Sequence, residues 1–188
     1  MRRSRSRELQ IMSEHTATIR WTRTSADFLR GKYSREHTRS FDGGITLPAS
    51  ASPAVVPAPY SNAAHVDPEE AFVAAVSSCH MLTYLFLASQ QGFEVDDYHD
   101  QAVGVMTKNE GGVPWVSLIT LHPQIGYSGD KRPTSTDEEH LHHKAHEQCF
   151  IANSIKTQVV VSGAQPVEAP GSTKRPRSQI GGGSLSGR

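Results

Sequence analysis

A chain of 188 residues of ordinary composition is one domain, or a smaller one with tails, and is long enough to bury a substantial core. Its formal charge of zero hides an asymmetry, because both ends are basic while residues 12–164 carry 11 basic against 17 acidic side chains. An acidic body argues against a nucleic-acid surface there, and two cysteines 70 positions apart fit neither a disulfide framework nor a zinc ribbon.

The opening MRRSRSRELQI is basic with no apolar run after it, so it does not read as a secretory signal. Residues 1–14 are expected to be a disordered extension ahead of a domain at 15–164. Thr16 to Thr22 alternates Ala17, Ile19 and Trp21 against polar neighbours, the pattern of a half-buried strand. A second strand is expected over Tyr33 to Phe41, one face of which would carry Arg35, His37 and Arg39. Asp42-Gly43-Gly44 makes a turn into a short third strand, Ile45 to Leu47. Pro48 to Val66, rich in Pro and Ala, predicts a long loop that lids something or lines an apolar pocket.

The best-marked element starts at Asp67. This residue suits a helix cap, Pro68 the first helical position and Glu70 the third, where its side chain can bond back to the cap. From Ala71 to Ala88 apolar residues cover nearly every direction around the axis, so the helix is expected inside the fold. It is also the nearest candidate for a membrane span, but Ser77, Ser78, Cys79 and His80 at its centre favour the core of a soluble, cytoplasmic protein. Gly92 and Phe93 turn the chain. Gln101 to Lys108 and Trp115 to His122 read as a hairpin around Asn109-Glu110-Gly111-Gly112. A second helix is expected from a capping box at Thr136-Asp137-Glu138-Glu139 to about Asn153, with Leu141, Ala145, Cys149 and Ala152 on one inward stripe. Ile155 to Ser162 is the last strand, and 165–188 has the Gly, Pro, Ser and basic content of a flexible tail.

Both thiols thus point inward from helices that cover a sheet. They are either a redox pair or two unrelated core thiols. His80 either tunes Cys79 or fills the core. His142, His146 and Cys149 fall at i, i+4 and i+7, a stripe that could hold a transition metal, although His140, His142, His143 and His146 are equally readable as surface residues. Glu69 is readable as an ordinary first-turn acid and Arg35 as a solvated strand residue.

The segments Asp67-Pro68-Glu69-Glu70 with Ser77-Ser78-Cys79-His80, and Ala145-His146-Glu147-Gln148-Cys149-Phe150 with Ile151-Ala152-Asn153-Ser154, resemble the OsmC/Ohr family of thiol peroxidases. The wording around both cysteines looks closest to its OsmC-like branches. The resemblance implies an α+β fold, antiparallel sheets around central helices in an intertwined homodimer, and reduction of organic hydroperoxides without a cofactor. It implies Cys79 as the thiolate that becomes a sulfenic acid, Cys149 as the thiol that condenses with it, and a lipoyl-type dithiol as reductant. It also implies Arg35, with Arg39 as rival, as the arginine at the thiolate, and Glu69 as the carboxylate that holds it. A non-enzymatic relative that senses redox state or binds a small apolar ligand is the alternative.

Physical reasoning independently asks for such a cation. Cys79 lies about ten residues into its helix, beyond the first turn where the helix dipole lowers a thiol pKa. At roughly 1.5 Å per residue, Glu69 stands about 15 Å along the axis from Cys79. One arginine reaches both only by bridging obliquely, or if Glu69 comes from a second subunit, so the expected site is composite.

Overall fold

The computed structural model describes residues 13–162. The expected N-terminal extension, apart from Ser13 and Glu14, and the C-terminal tail lie outside them. The element order is β1 (Ala17–Arg20), β2 (His37–Phe41), β3 (Thr46–Ala49), α1 (Pro68–Gln90), β4 (Glu94–Asp100), β5 (Val103–Lys108), β6 (Pro114–Leu121), β7 (Pro123–Ser128), α2 (Ser135–Gln148) and β8 (Gln158–Val161). The fold is α+β, as expected.

The strands make three sheets within the chain: β1-β2-β3, β4-β7 and β5-β6-β8. All pairings are antiparallel except that of β6 with β8. The hairpin β5–β6 forms where its turn residues place it. Two strands were not expected from sequence. In β4 a bulge between Val95 and Asp97 breaks the two-residue period, so Val95 and Tyr98 both turn partly inward and the alternation is lost. Its partner β7 follows β6 after a single residue, His122, with no turn signal between them.

β2 begins at His37 rather than Tyr33. Ahead of it, the Arg35 backbone N–H donates to the Tyr60 carbonyl at 2.9 Å, a bond to the following loop instead of to a strand. That loop is shorter than expected, since Pro48 belongs to β3. It folds back on itself, with Ala49 bridged to Val66 and the Asn62 N–H donating to the buried Ser50 hydroxyl. None of its residues lines either cavity described below.

α1 is capped as its sequence requires. Asp67 accepts from the Glu70 N–H at 2.7 Å, and the Glu70 carboxylate accepts from the Asp67 N–H at 3.1 Å. After the C-cap residue Gln91, Gly92 adopts φ 76°, the left-handed conformation that glycine reaches without a Cβ penalty. The burial differs from expectation. Within the chain only the i, i+4 stripe Val76, His80, Tyr84 and Ala88 is fully covered, while Leu82 and Phe86 remain 63% and 58% exposed. One copy of the chain therefore leaves part of the apolar surface of this helix uncovered. By length and composition α1 is also the one described helix that could cross a membrane.

Two core clusters flank the centre of α1. Tyr84, Ala88, Phe93, Leu141 and Ala145 pack on the α2 side, while Val76, Ile119 and Leu121 pack on β6. The β1-β2-β3 sheet stands apart from both. One of its faces carries Ile19, Arg39 and Leu47 in cross-strand register, with Ile19 and Leu47 exposed.

Candidate functional site

α2 is capped by Thr134, whose hydroxyl accepts from the Asp137 N–H at 3.2 Å. The box therefore starts two residues earlier than expected. The helix also ends earlier, at Gln148, because Cys149 is extended (φ −67°, ψ 115°) and the Asn153 amide donates to the Glu147 and Cys149 carbonyls, at 2.9 Å each. Cys149 is thus a helix C-cap residue rather than a mid-helix one, and its side chain is fully buried.

The two cysteines are neighbours: the Cys79 thiol is close enough to add to the effect of burial on Cys149, and both are free thiols. Burial, reinforced by the neighbouring Cys79 thiol, pushes the Cys149 thiol up to about 11, so it stands as a neutral thiol at pH 7. The Ala152 N–H points at its sulfur from 3.4 Å and partly offsets this. Cys79 is only half-buried. The pair therefore consists of one accessible thiol and one sequestered thiol.

The α1 positions three and seven residues from Cys79 are apolar, while Thr83, four residues on, donates its hydroxyl to the Cys79 carbonyl at 2.9 Å. Phe72 and Phe86 lie two turns away on either side of it, and Leu82 lies one turn on. Phe150, next to Cys149, is 82% exposed. Sequence reading did not single out these neighbours, although the i, i+7 spacing of Phe72, Cys79 and Phe86 was a usable signal.

Arg35 and Glu69 are not brought together within one chain. The Arg35 guanidinium lies 3.7 Å from the centroid of the Tyr33 ring and donates to the Gly31 and Tyr33 carbonyls. It forms no ion pair with Glu69 among the described residues. Arg39 is the arginine at the start of α1, where its Nη1 donates to the Asp67 carbonyl at 3.3 Å. Glu69 lines two adjoining clefts. One, of about 790 Å³, runs along α1 from Asp67 to Met81 against β4 and β5, and the other, of about 330 Å³, lies by Phe72 and Trp115.

His80 and His142 form a buried pair between the two core clusters. Their Nε2 and Nδ1 atoms are 3.1 Å apart, with the rings nearly parallel. Desolvation lowers both, His80 to about 3 and His142 to about 4, and each is therefore neutral at pH 7. His142 also packs on the Tyr84 ring, whose hydroxyl is 2.5 Å from that of Tyr127. The His142, His146 and Cys149 stripe, one reading of which was a metal site, does not assemble as a ligand set, because His142 turns to His80. Among the described residues no three His, Cys, Asp or Glu side chains are grouped to hold a metal. The pairing was invisible in the sequence, since the partners are 62 positions apart.

This arrangement has close counterparts. The family model for OsmC-like proteins matches residues 61–162, the segment that holds both cysteines. A solved structure of an OsmC-like protein of unknown function from Vibrio cholerae is 53% identical, with a TM-score of 0.77 over 80% of this chain and 98% of that one. The chain belongs to the OsmC/Ohr family. More distant structures share the OsmC/Ohr fold at 18% identity. They include an organic hydroperoxide resistance protein from Elizabethkingia anophelis (TM-score 0.60, covering 82% and 99% of the two chains) and OhrB of Bacillus subtilis (0.55, covering 80% and 96%). A comparison with curated proteins found no match.

Proposed function

We propose that this OsmC/Ohr protein is a cytoplasmic, cysteine-based peroxidase that reduces organic hydroperoxides. The observation that carries this reading is the proximity of a half-exposed thiol on α1 to a buried neutral thiol at the end of α2. The Cys79 thiolate attacks one peroxide oxygen, so that an S–O bond forms, the O–O bond breaks and the alkoxide leaves to be protonated as an alcohol. Cys79 is then a sulfenic acid. Cys149 attacks that sulfur, forming the disulfide, and its proton leaves with the hydroxyl as water. A lipoyl-type dithiol restores both thiols by two exchanges, itself becoming a disulfide.

The apolar residues Phe72, Leu82, Phe86 and Phe150 favour a substrate with a hydrocarbon body over hydrogen peroxide. The working unit is a homodimer. A second copy covers the exposed apolar residues of α1 and of the β1-β2-β3 sheet, and it brings Arg35 to Cys79 with Glu69 as the carboxylate that holds the arginine. Arg39, already at the start of α1, is the other candidate for that role. Support for a composite site comes from the separation of Arg35 and Glu69 within one chain.

The test is peroxide loss when reduced protein is mixed with cumene hydroperoxide and dihydrolipoamide. Turnover by the parent and none by Cys79→Ser supports the reading. No turnover by the parent removes it and leaves the redox-sensing or ligand-binding alternative.

A further inference from the structure

Among the described residues the His80–His142 contact is the only hydrogen bond between α1 and α2. The rest of that helix pair is apolar packing of Leu141 and Ala145 against Tyr84 and Ala88, which holds the helices together without fixing how one slides or turns on the other. A hydrogen bond does fix that. Disulfide formation is equally demanding, because the two Cβ atoms must come to about 3.8 Å with a narrow range of torsion. Cys79 adjoins His80, and Cys149 ends the helix that carries His142. The register that seats one ring on the other therefore also sets the approach of the two sulfurs.

The proton between the rings can be assigned. His80 Nδ1 is buried with no partner. If His142 donated, His80 would carry its own proton on Nδ1 as an orphaned buried donor, which is costlier than an orphaned acceptor. His80 therefore donates from Nε2, and His142 accepts at Nδ1.

We propose that His80 and His142 are positioning residues that hold α2 in the register in which Cys149 resolves oxidised Cys79. The proposal rests on the peroxidase reading of the two thiols. It concerns only the step in which the Cys79 S–OH bond breaks, the S–S bond forms, and the Cys149 proton departs with hydroxide as water.

Three substitutions at His142 separate a pin from mere bulk. The oxygen of His142→Asn can occupy the place of Nδ1, that of His142→Gln reaches one atom farther, and His142→Leu has no acceptor. Stopped-flow fluorescence on reduced protein given one equivalent of cumene hydroperoxide follows oxidation of Cys79 and then its resolution. Cys79 oxidation is expected to proceed at the parent rate in all three. Resolution is expected to stay near the parent rate with Asn and to slow on the order of tenfold to a hundredfold with Gln and Leu, the penalty of misplacing reacting groups by about an ångström. The disulfide's potential against dihydrolipoamide should rise by about 30 mV for each tenfold loss in its equilibrium constant. Should the leucine variant fail to fold, Asn against Gln still decides the matter. Equal resolution rates in those two overturn the positioning role, whereas a parent that forms no Cys79–Cys149 disulfide overturns the peroxidase reading beneath it.

Discussion

Acid should destabilise this protein through its buried histidines. In the unfolded chain each titrates near 6.5, while in the fold His80 is held at about 3 and His142 at about 4, chiefly by burial. Below pH 6.5 the unfolded state binds protons that the folded state refuses. The stabilisation is therefore complete above about pH 6.5 and is lost as pH falls toward 4. For His142, linkage gives a loss on the order of 2 kcal/mol between pH 7 and pH 5, and His80 brings the pair to roughly 4 kcal/mol. This is a large fraction of the roughly 5–15 kcal/mol that separates a folded domain from its unfolded chain. The assay is urea denaturation at pH 7, 6 and 5 at fixed protein concentration, comparing the parent with the double variant His80→Gln/His142→Asn, which keeps a donor and an acceptor in place but cannot titrate. The parent should lose roughly 4 kcal/mol more than the variant over that range. Equal losses in the two proteins would refute the reasoning.

Other outcomes follow from single contacts. Asp67→Ala removes the side-chain bond from the Glu70 N–H while leaving the residue-67 N–H its bond to the Glu70 carboxylate, and should cost about 1 kcal/mol and lower the thermal midpoint by about 2–4 °C in a scanning calorimeter. Phe86→Glu places a charge on the exposed apolar side of α1. Sedimentation velocity should show the parent as a dimer and this variant shifted toward monomer, and a monomeric parent would contradict the composite site. Cys149→Ser leaves Cys79 without a resolving partner, so a dimedone adduct at Cys79 should accumulate after one equivalent of hydroperoxide, detected by mass spectrometry.

What could be read from the sequence was what is written locally. The cap of α1 required only Asp67, Pro68 and Glu70, and the β5–β6 hairpin only its turn. The α2 cap was misplaced by two residues because Thr134 and Thr136 are chemically equivalent candidates, and only backbone geometry chose between them. β4 escaped because a bulge shifts the inward positions of a strand rich in acidic residues. The interior placement of α1 was read from apolar residues on all sides, yet a single chain covers only the Val76–Ala88 stripe. Composition reports apolar surface on a helix, not how much of it one chain covers. At the site, the family resemblance singled out both cysteines, and the fold places them as neighbours. The His80–His142 bond could not be read in advance, since no local pattern encodes a contact across 62 positions.

The most direct measurement is a non-reducing peptide map after reduced protein meets one equivalent of cumene hydroperoxide. The account predicts a peptide in which Cys79 and Cys149 of the same chain are joined, with one equivalent of cumyl alcohol released. Released alcohol with no such linkage, or both cysteines recovered as free thiols with the peroxide intact, would contradict it.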